Sequence, residues 1–153
     1  MKKQTLLILA VIVGTASLFI ATSLFAGTAV KDEFMLDAPE YAKHKKGIVK
    51  FTHKKHNIDY KIGCGECHHD DKGAALNNLK IGDNVQRCIE CHKKPSERPK
   101  GKGAPKLNKT QKLEYHAEAI HMNCKDCHKK FNKKNKTKAA PTSCSKCHPK
   151  TKK

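Results

Sequence analysis

Apolar residues are unevenly spread along the 153-residue chain. An uncharged stretch runs from Gln4 to Val30, with the apolar run Leu6 to Val13 at its centre and Met1-Lys2-Lys3 ahead of it. A positive start, an apolar middle and small residues at the end make the layout of a secretory signal. Cleavage after Ala29 places Gly27 three positions before the cut and fits the small-x-small rule better than cleavage after Ala26, which places Leu24 there. The stretch also reaches the length of about 20 residues that spans a bilayer, although Thr15, Ser17, Thr22 and Ser23 weaken that reading. Residues 1–29 are therefore read as a signal peptide, with a retained membrane anchor as the alternative. In both cases the rest of the chain is exported.

Beyond that stretch the pattern predicts little regular structure. Lys31 to Lys46 is a polar lead-in, and Gly47-Ile48-Val49-Lys50-Phe51 has strand-like content, a short strand or hairpin arm. Gln111 to Met122 has helical periodicity, with Leu113, His116, Ala117, Ile120 and His121 at i, i+3, i+4, i+7 and i+8. Between Lys93 and Lys112 lie eight lysines and arginines, one glutamate, Pro95, Pro99, Pro105, Gly101 and Gly103. That segment reads as a mobile basic loop without regular structure, either simply solvated or docking an acidic partner. Lys129 to Lys138 carries six further lysines and no acid.

Composition sharpens the problem. Without a signal, about 125 residues remain, lysine-rich and poor in aromatics, with no tryptophan, and chains of this kind usually lack a packed core. Something other than side chains must supply one.

The cysteines indicate what. All eight fall in one unit repeated four times: Cys64-Gly65-Glu66-Cys67-His68, Cys88-Ile89-Glu90-Cys91-His92, Cys124-Lys125-Asp126-Cys127-His128 and Cys144-Ser145-Lys146-Cys147-His148. C-x-x-C-H is the attachment signature of c-type haem. Two thiols one helical turn apart can form thioethers along one porphyrin edge, and the adjoining histidine then binds the iron. Four disulfides or zinc sites are the competing readings, but neither explains a histidine after every pair. Four haem c groups would provide the missing apolar core, and the apoprotein is expected to be largely unfolded.

Six histidines lie outside the motifs: His44, His53, His56, His69, His116 and His121. Four irons call for four more axial ligands, so supply exceeds demand by two. His53 and His56 are three apart and would share a helical face. His69 follows His68, and because adjacent side chains diverge it can reach a neighbouring haem. His116 and His121 both lie on the apolar face of their helix, so periodicity does not choose between them.

The order F-x-H-x-x-H, C-x-x-C-H-H, C-x-x-C-H, H-x-x-C-x-x-C-H, C-x-x-C-H between Gly47 and Lys150 resembles the cytochrome c3 family, the class III multihaem cytochromes. The Gly47 to His56 run and the region from Asn123 to His128 are also similar to its small three-haem members. The resemblance implies a small, haem-cored fold, mostly irregular, with a few short α-helices and a short N-terminal strand or hairpin. It further implies that residues 30–153 form a four-haem domain. By the family pattern His53 is the sixth ligand of the haem on Cys64 and Cys67, and His69 of the haem on Cys88 and Cys91. His56 then serves the haem on Cys124 and Cys127, and His121 the haem on Cys144 and Cys147, leaving His44 and His116 free. The chain departs from many four-haem relatives in having no longer cysteine spacing and in the length of the basic loop, residues 93–112.

Irons with two histidines have no open position, which points to electron transfer at low potential rather than catalysis. Methionine ligation is nearly unavailable, since only Met35 and Met122 lie beyond the signal. The formal charge is +18, and loss of Lys2 and Lys3 with the signal lowers it to +16. Such a surface steers acidic partners. In the resembled family a lysine patch around the last haem docks redox proteins, with a hydrogenase-like donor and a terminal or membrane reductase as acceptor. Lys146, Lys150, Lys152, Lys153 and the Lys129 to Lys138 run are its counterparts here. Nucleic acid is not an expected partner, because an exported cytochrome rarely meets it. A reductase of metal ions or of sulfur or nitrogen compounds, or a membrane-tethered subunit of a redox complex, is the alternative function.

Overall fold

The structure is a computed structural model that describes residues 31–150. The signal or anchor expected at 1–29, and Lys152 and Lys153, lie outside the described residues. The chain divides into two compact units, and the larger, Val30–Ile81 with Val85–Lys153, holds every cysteine and histidine. Of the smaller unit only Gly82–Asn84 is described.

Strand β1, Phe34–Met35, pairs antiparallel with β2, Lys50–Phe51, in the register Phe34 to Phe51 and Met35 to Lys50. The strand expected at Gly47 to Phe51 thus exists, and its partner comes from the polar lead-in. The aromatic rings of the Phe34 and Phe51 pair lie 5.3 Å apart, edge to face, an arrangement that adds about 1 kcal/mol to a sheet contact. After β2 the chain enters a wide π-type turn, Lys55–Asp59, closed by Tyr60 N–H to the Lys55 carbonyl at 3.0 Å.

Four α-helices follow: α1 Cys88–Cys91, α2 Lys109–Leu113, α3 His116–Lys134 and α4 Cys144–Cys147. Two boundaries differ from the sequence reading. Helix α2 begins inside the basic segment because Asn108 and Gln111 form a reciprocal capping box, with both hydrogen bonds at 2.9 Å. The single helix expected from Gln111 to Met122 is interrupted at Glu114 and Tyr115. There Lys94 inserts its backbone, donating to the Glu114 carbonyl and accepting from His116 N–H, each at 2.9 Å. Helix α3 in turn runs on through the third cysteine motif to Lys134, well past the expected end.

The basic segment is therefore tied rather than loose. Besides Lys94, Ser96 accepts from Ala117 N–H, and Arg98 and Lys100 lie 3.7 and 3.8 Å from the Glu118 carboxylate on α3. Helices α1 and α2 both pack on α3.

Among the described residues only two hydrophobic side chains are buried, Ile89 at 5% and Ala119 at 8% exposure. Phe34, Met35, Ile58, Tyr60 and Phe131 are exposed. A chain that buries so little apolar surface cannot offset the cost of ordering its backbone, about 1–2 kcal/mol per residue. The side chains do not make the core.

Candidate metal centres

Each cysteine motif is one turn of helix. The first is a 3₁₀ turn, Cys64–Glu66; the second and fourth are α1 and α4; the third lies within α3. The amide of the terminal histidine donates to the carbonyl of the first cysteine at 2.9 Å for His68, 2.9 Å for His92 and 2.7 Å for His148. That bond fixes the position of both thiols relative to the imidazole. In the first motif Gly65 packs closely on Asn77, whose side-chain oxygen would have to move to admit a Cβ.

None of the eight cysteines is in a disulfide. Burial pushes the thiols of Cys67, Cys88 and Cys147 up and that of Cys124 up to about 11. Cys67, Cys88, Cys147 and Cys127 add to the shift at Cys124, so residues of all four motifs share one neighbourhood. Among the described residues no three His, Cys, Asp or Glu side chains converge as a bare metal ion would need. A structural zinc site, with its four protein donors, has no donor set here.

The histidines are arranged in opposed pairs. The ring centroids of His53 and His68 are 6.5 Å apart, those of His69 and His92 6.0 Å, those of His56 and His128 6.2 Å, and those of His121 and His148 6.3 Å. A metal–imidazole bond is about 2 Å and the ring centre lies about 1 Å behind the nitrogen, so two imidazoles on opposite sides of one ion hold their centroids about 6 Å apart. Aromatic contacts span similar distances. Chance contact, however, would not place one motif histidine and one outside histidine in every pair.

The backbone sets the rings for this role. Nδ1 of His56 lies 2.9 Å from the Thr52 carbonyl, that of His69 2.7 Å from Asp70, and that of His92 2.5 Å from Leu113. Nδ1 of His128 lies 2.8 Å from Pro141 and that of His148 2.8 Å from Gly47. A carbonyl oxygen only accepts, so each Nδ1 carries the proton and each Nε2 keeps its lone pair for a metal. Burial lowers the pKa values of His68 and His121, which favours the neutral, ligating form.

Local structure explains these positions. Phe51 packs on His53 and His56, at 6.0 and 4.9 Å, so the hairpin steadies the two rings that follow it. His53 and His56 nevertheless diverge to different partners. The Asp70 carboxylate accepts from the amides of Lys72 and Ala74 at 2.9 and 2.7 Å, shaping the loop that presents its carbonyl to His69. Asn132 bonds both the amide and the carbonyl of Ala140, which brings Pro141 onto His128.

His44 and His116 take no part in the pairs. Tyr41 stacks on His44 at 5.0 Å, and its hydroxyl lies 3.0 Å from Nδ1 of His116. Sequence reading passed over Tyr41, and nothing in its spacing marked it. The carbonyl partners of the rings were equally silent, because any residue can provide a carbonyl.

The donor set, opposed imidazoles beside paired thiols one helical turn apart, fits haem c and no simpler group. The sequence profile of the Class III cytochrome C family matches residues 31–148. This chain belongs to that family. It is 33% identical over 122 residues to a protein named cytochrome c3 from Maridesulfovibrio salexigens, an alignment covering 78% of this chain and 95% of the relative. Membership of the cytochrome c3 family makes the protein a multihaem electron carrier with covalently attached haem c and redox proteins as partners. The short helices, single hairpin and largely irregular chain agree with the class III fold.

Proposed function

We propose that this chain is a periplasmic, low-potential electron carrier whose domain, residues 30–153, holds four haem c groups, each with two axial histidines. The thioether positions are Cys64 with Cys67, Cys88 with Cys91, Cys124 with Cys127, and Cys144 with Cys147. The axial pairs are His68 with His53, His92 with His69, His128 with His56, and His148 with His121. The four opposed ring pairs carry this reading.

Bound haem c supplies one-electron transfer, and histidine on both faces favours low potential. The chain's part is to hold each pair, keep Nε2 of His56, His69, His92, His128 and His148 available through their Nδ1 bonds, and leave no iron face open for substrate. Export is supported by the layout of residues 1–29. Acidic redox proteins, a hydrogenase-like donor and a membrane or terminal reductase as acceptor, suit the positive surface. Lys130, Lys133, Lys134, Lys136 and Lys138 are available on it beside the exposed Lys146 and Lys150.

The mass of the native protein, with its resting spectrum, tests the reading. Four haem increments on a chain starting at Val30, and a wholly low-spin spectrum, are expected, with reduction by hydrogen and a periplasmic hydrogenase slowing as salt rises. A high-spin haem, or fewer than four increments, would overturn it.

A further inference from the structure

The basic segment that sets this chain apart has both ends at one ring. It leaves the second motif directly after His92 and returns through α2, where the Leu113 carbonyl accepts from Nδ1 of His92 at 2.5 Å. Residues 93–113 thus form a handle closed at His92, one member of the His69 and His92 pair. The handle is clamped to α3 by the Lys94 backbone bonds and by Arg98 and Lys100 beside Glu118, whose Oε1 is buried with no hydrogen-bond partner in the described structure. Lys100 also reaches Glu97 at 2.8 Å.

Within the handle lies an open cleft of about 460 Å³, with Arg98, Lys100, Lys106 and Lys112 on its walls and Pro105 and Leu107 between them. The cations are of two kinds. Arg98 and Lys100 are occupied with Glu97 and Glu118, whereas Lys106 and Lys112 make no ion pair or side-chain hydrogen bond among the described residues. A solvated loop would have no reason to be pinned. The pinned loop thus holds in place a shallow basic surface, with two uncommitted ammonium groups beside Pro105 and Leu107.

Resting on the reading of His69 and His92 as an axial pair, we propose that the cleft of residues 98–112 is a docking surface for an acidic segment of a redox partner. Its carboxylates would meet Lys106 and Lys112, and an apolar side chain between them would meet Pro105 and Leu107. Docking there brings the partner beside the second ring pair. None of its residues belongs to the Lys129 to Lys138 run.

The test uses the fully reduced, diamagnetic holoprotein, with backbone amide shifts followed by NMR as hexaglutamate is added. The amides of 98–112 are expected to move saturably, at lower peptide concentration than those of 129–138. Lys106→Glu with Lys112→Glu should weaken binding about tenfold, since reversing two exposed charges alters two weak ion pairs. Lys106→Gln with Lys112→Gln should weaken it less, and Lys133→Glu with Lys134→Glu should leave the loop titration nearly unchanged. Shifts centred on 129–138, equal losses in both reversed variants, or tripolyphosphate binding as tightly as the peptide would overturn the proposal. The resting spectrum separates the two layers of inference. A high-spin signal at the second haem would remove the axial pair and the docking proposal with it, whereas a wholly low-spin protein with immobile loop amides would overturn docking alone.

Discussion

His148 donates its Nδ1–H to the carbonyl of Gly47 at 2.8 Å, across 101 residues of chain. The last motif is thereby oriented by a residue three positions before β2. Gly47 is buried against Pro149, and a Cβ there would overlap the Pro149 carbonyl oxygen.

Gly47→Ala should therefore act on one centre. Pushing Pro149 away breaks the His148 bond, and loss of a partner that orients a metal-ligating histidine weakens the metal bond about 10–100-fold. Low-temperature spectra of the oxidised variant should show one haem with disturbed ligation, and the other three unchanged. Four unaltered haems would show that the contact does not position His148.

The ring pairs predict a graded histidine scan. Alanine at His53, His56, His69 or His121 removes one member of a pair and should convert one haem to high spin. Alanine at His44 or His116, which meet Tyr41 instead, should leave every haem low-spin. Electron paramagnetic resonance separates these outcomes. A high-spin signal in the His116 variant alone would reverse the choice between His116 and His121.

Much of this arrangement was legible in the sequence because covalent chemistry leaves local marks. Cys124, Cys127 and His128 announce a site whatever their surroundings, and the count of outside histidines sets a supply of ligands. The break at Tyr115 was not legible, since it depends on Lys94 reaching across from a distant position. Nor was the tethering of the basic segment: its composition describes solvation, while partners far off in the chain, through the Lys94 and Ser96 backbone bonds and Glu118 on α3, hold it. Periodicity left His116 and His121 equivalent, and what distinguishes them in space is that the Tyr41 hydroxyl meets His116 whereas His121 faces the ring of His148.

Tyr41 and His116 also predict a pH dependence. Burial holds the His116 pKa below its usual value, with the Arg87 guanidinium acting in the same direction and Glu40 opposing. Burial raises the Tyr41 pKa, so its hydroxyl stays protonated. A histidine with a depressed folded pKa contributes stability that is complete above its unfolded pKa, about 6.5, and is lost as pH falls through the lower folded value. Thermal midpoints of the holoprotein should fall between pH 6.5 and the folded pKa, a window that His116→Gln should narrow. An NMR titration of His116 giving a midpoint at or above 6.5 would refute the assignment.

The scarcity of buried side chains leads to the last expectation. With only Ile89 and Ala119 enclosed among the described residues, the chain without its covalent groups retains one hairpin, short helical turns and α3. The first two are individually marginal in water, and α3, at 19 residues, is long enough to persist only in part. Lysine repulsion opposes any collapse of what remains. A variant with all eight cysteines replaced by serine should thus show weak helical circular dichroism that melts gradually, with no cooperative transition in heat or urea. On the proposed ligation the holoprotein should unfold sharply, because haem groups each tied by two cysteines and two histidines would link the hairpin segment, α1, α3 and α4 into one unit. Cooperative unfolding of the haem-free variant would mean that side-chain packing sustains the fold, contrary to what its burial supports.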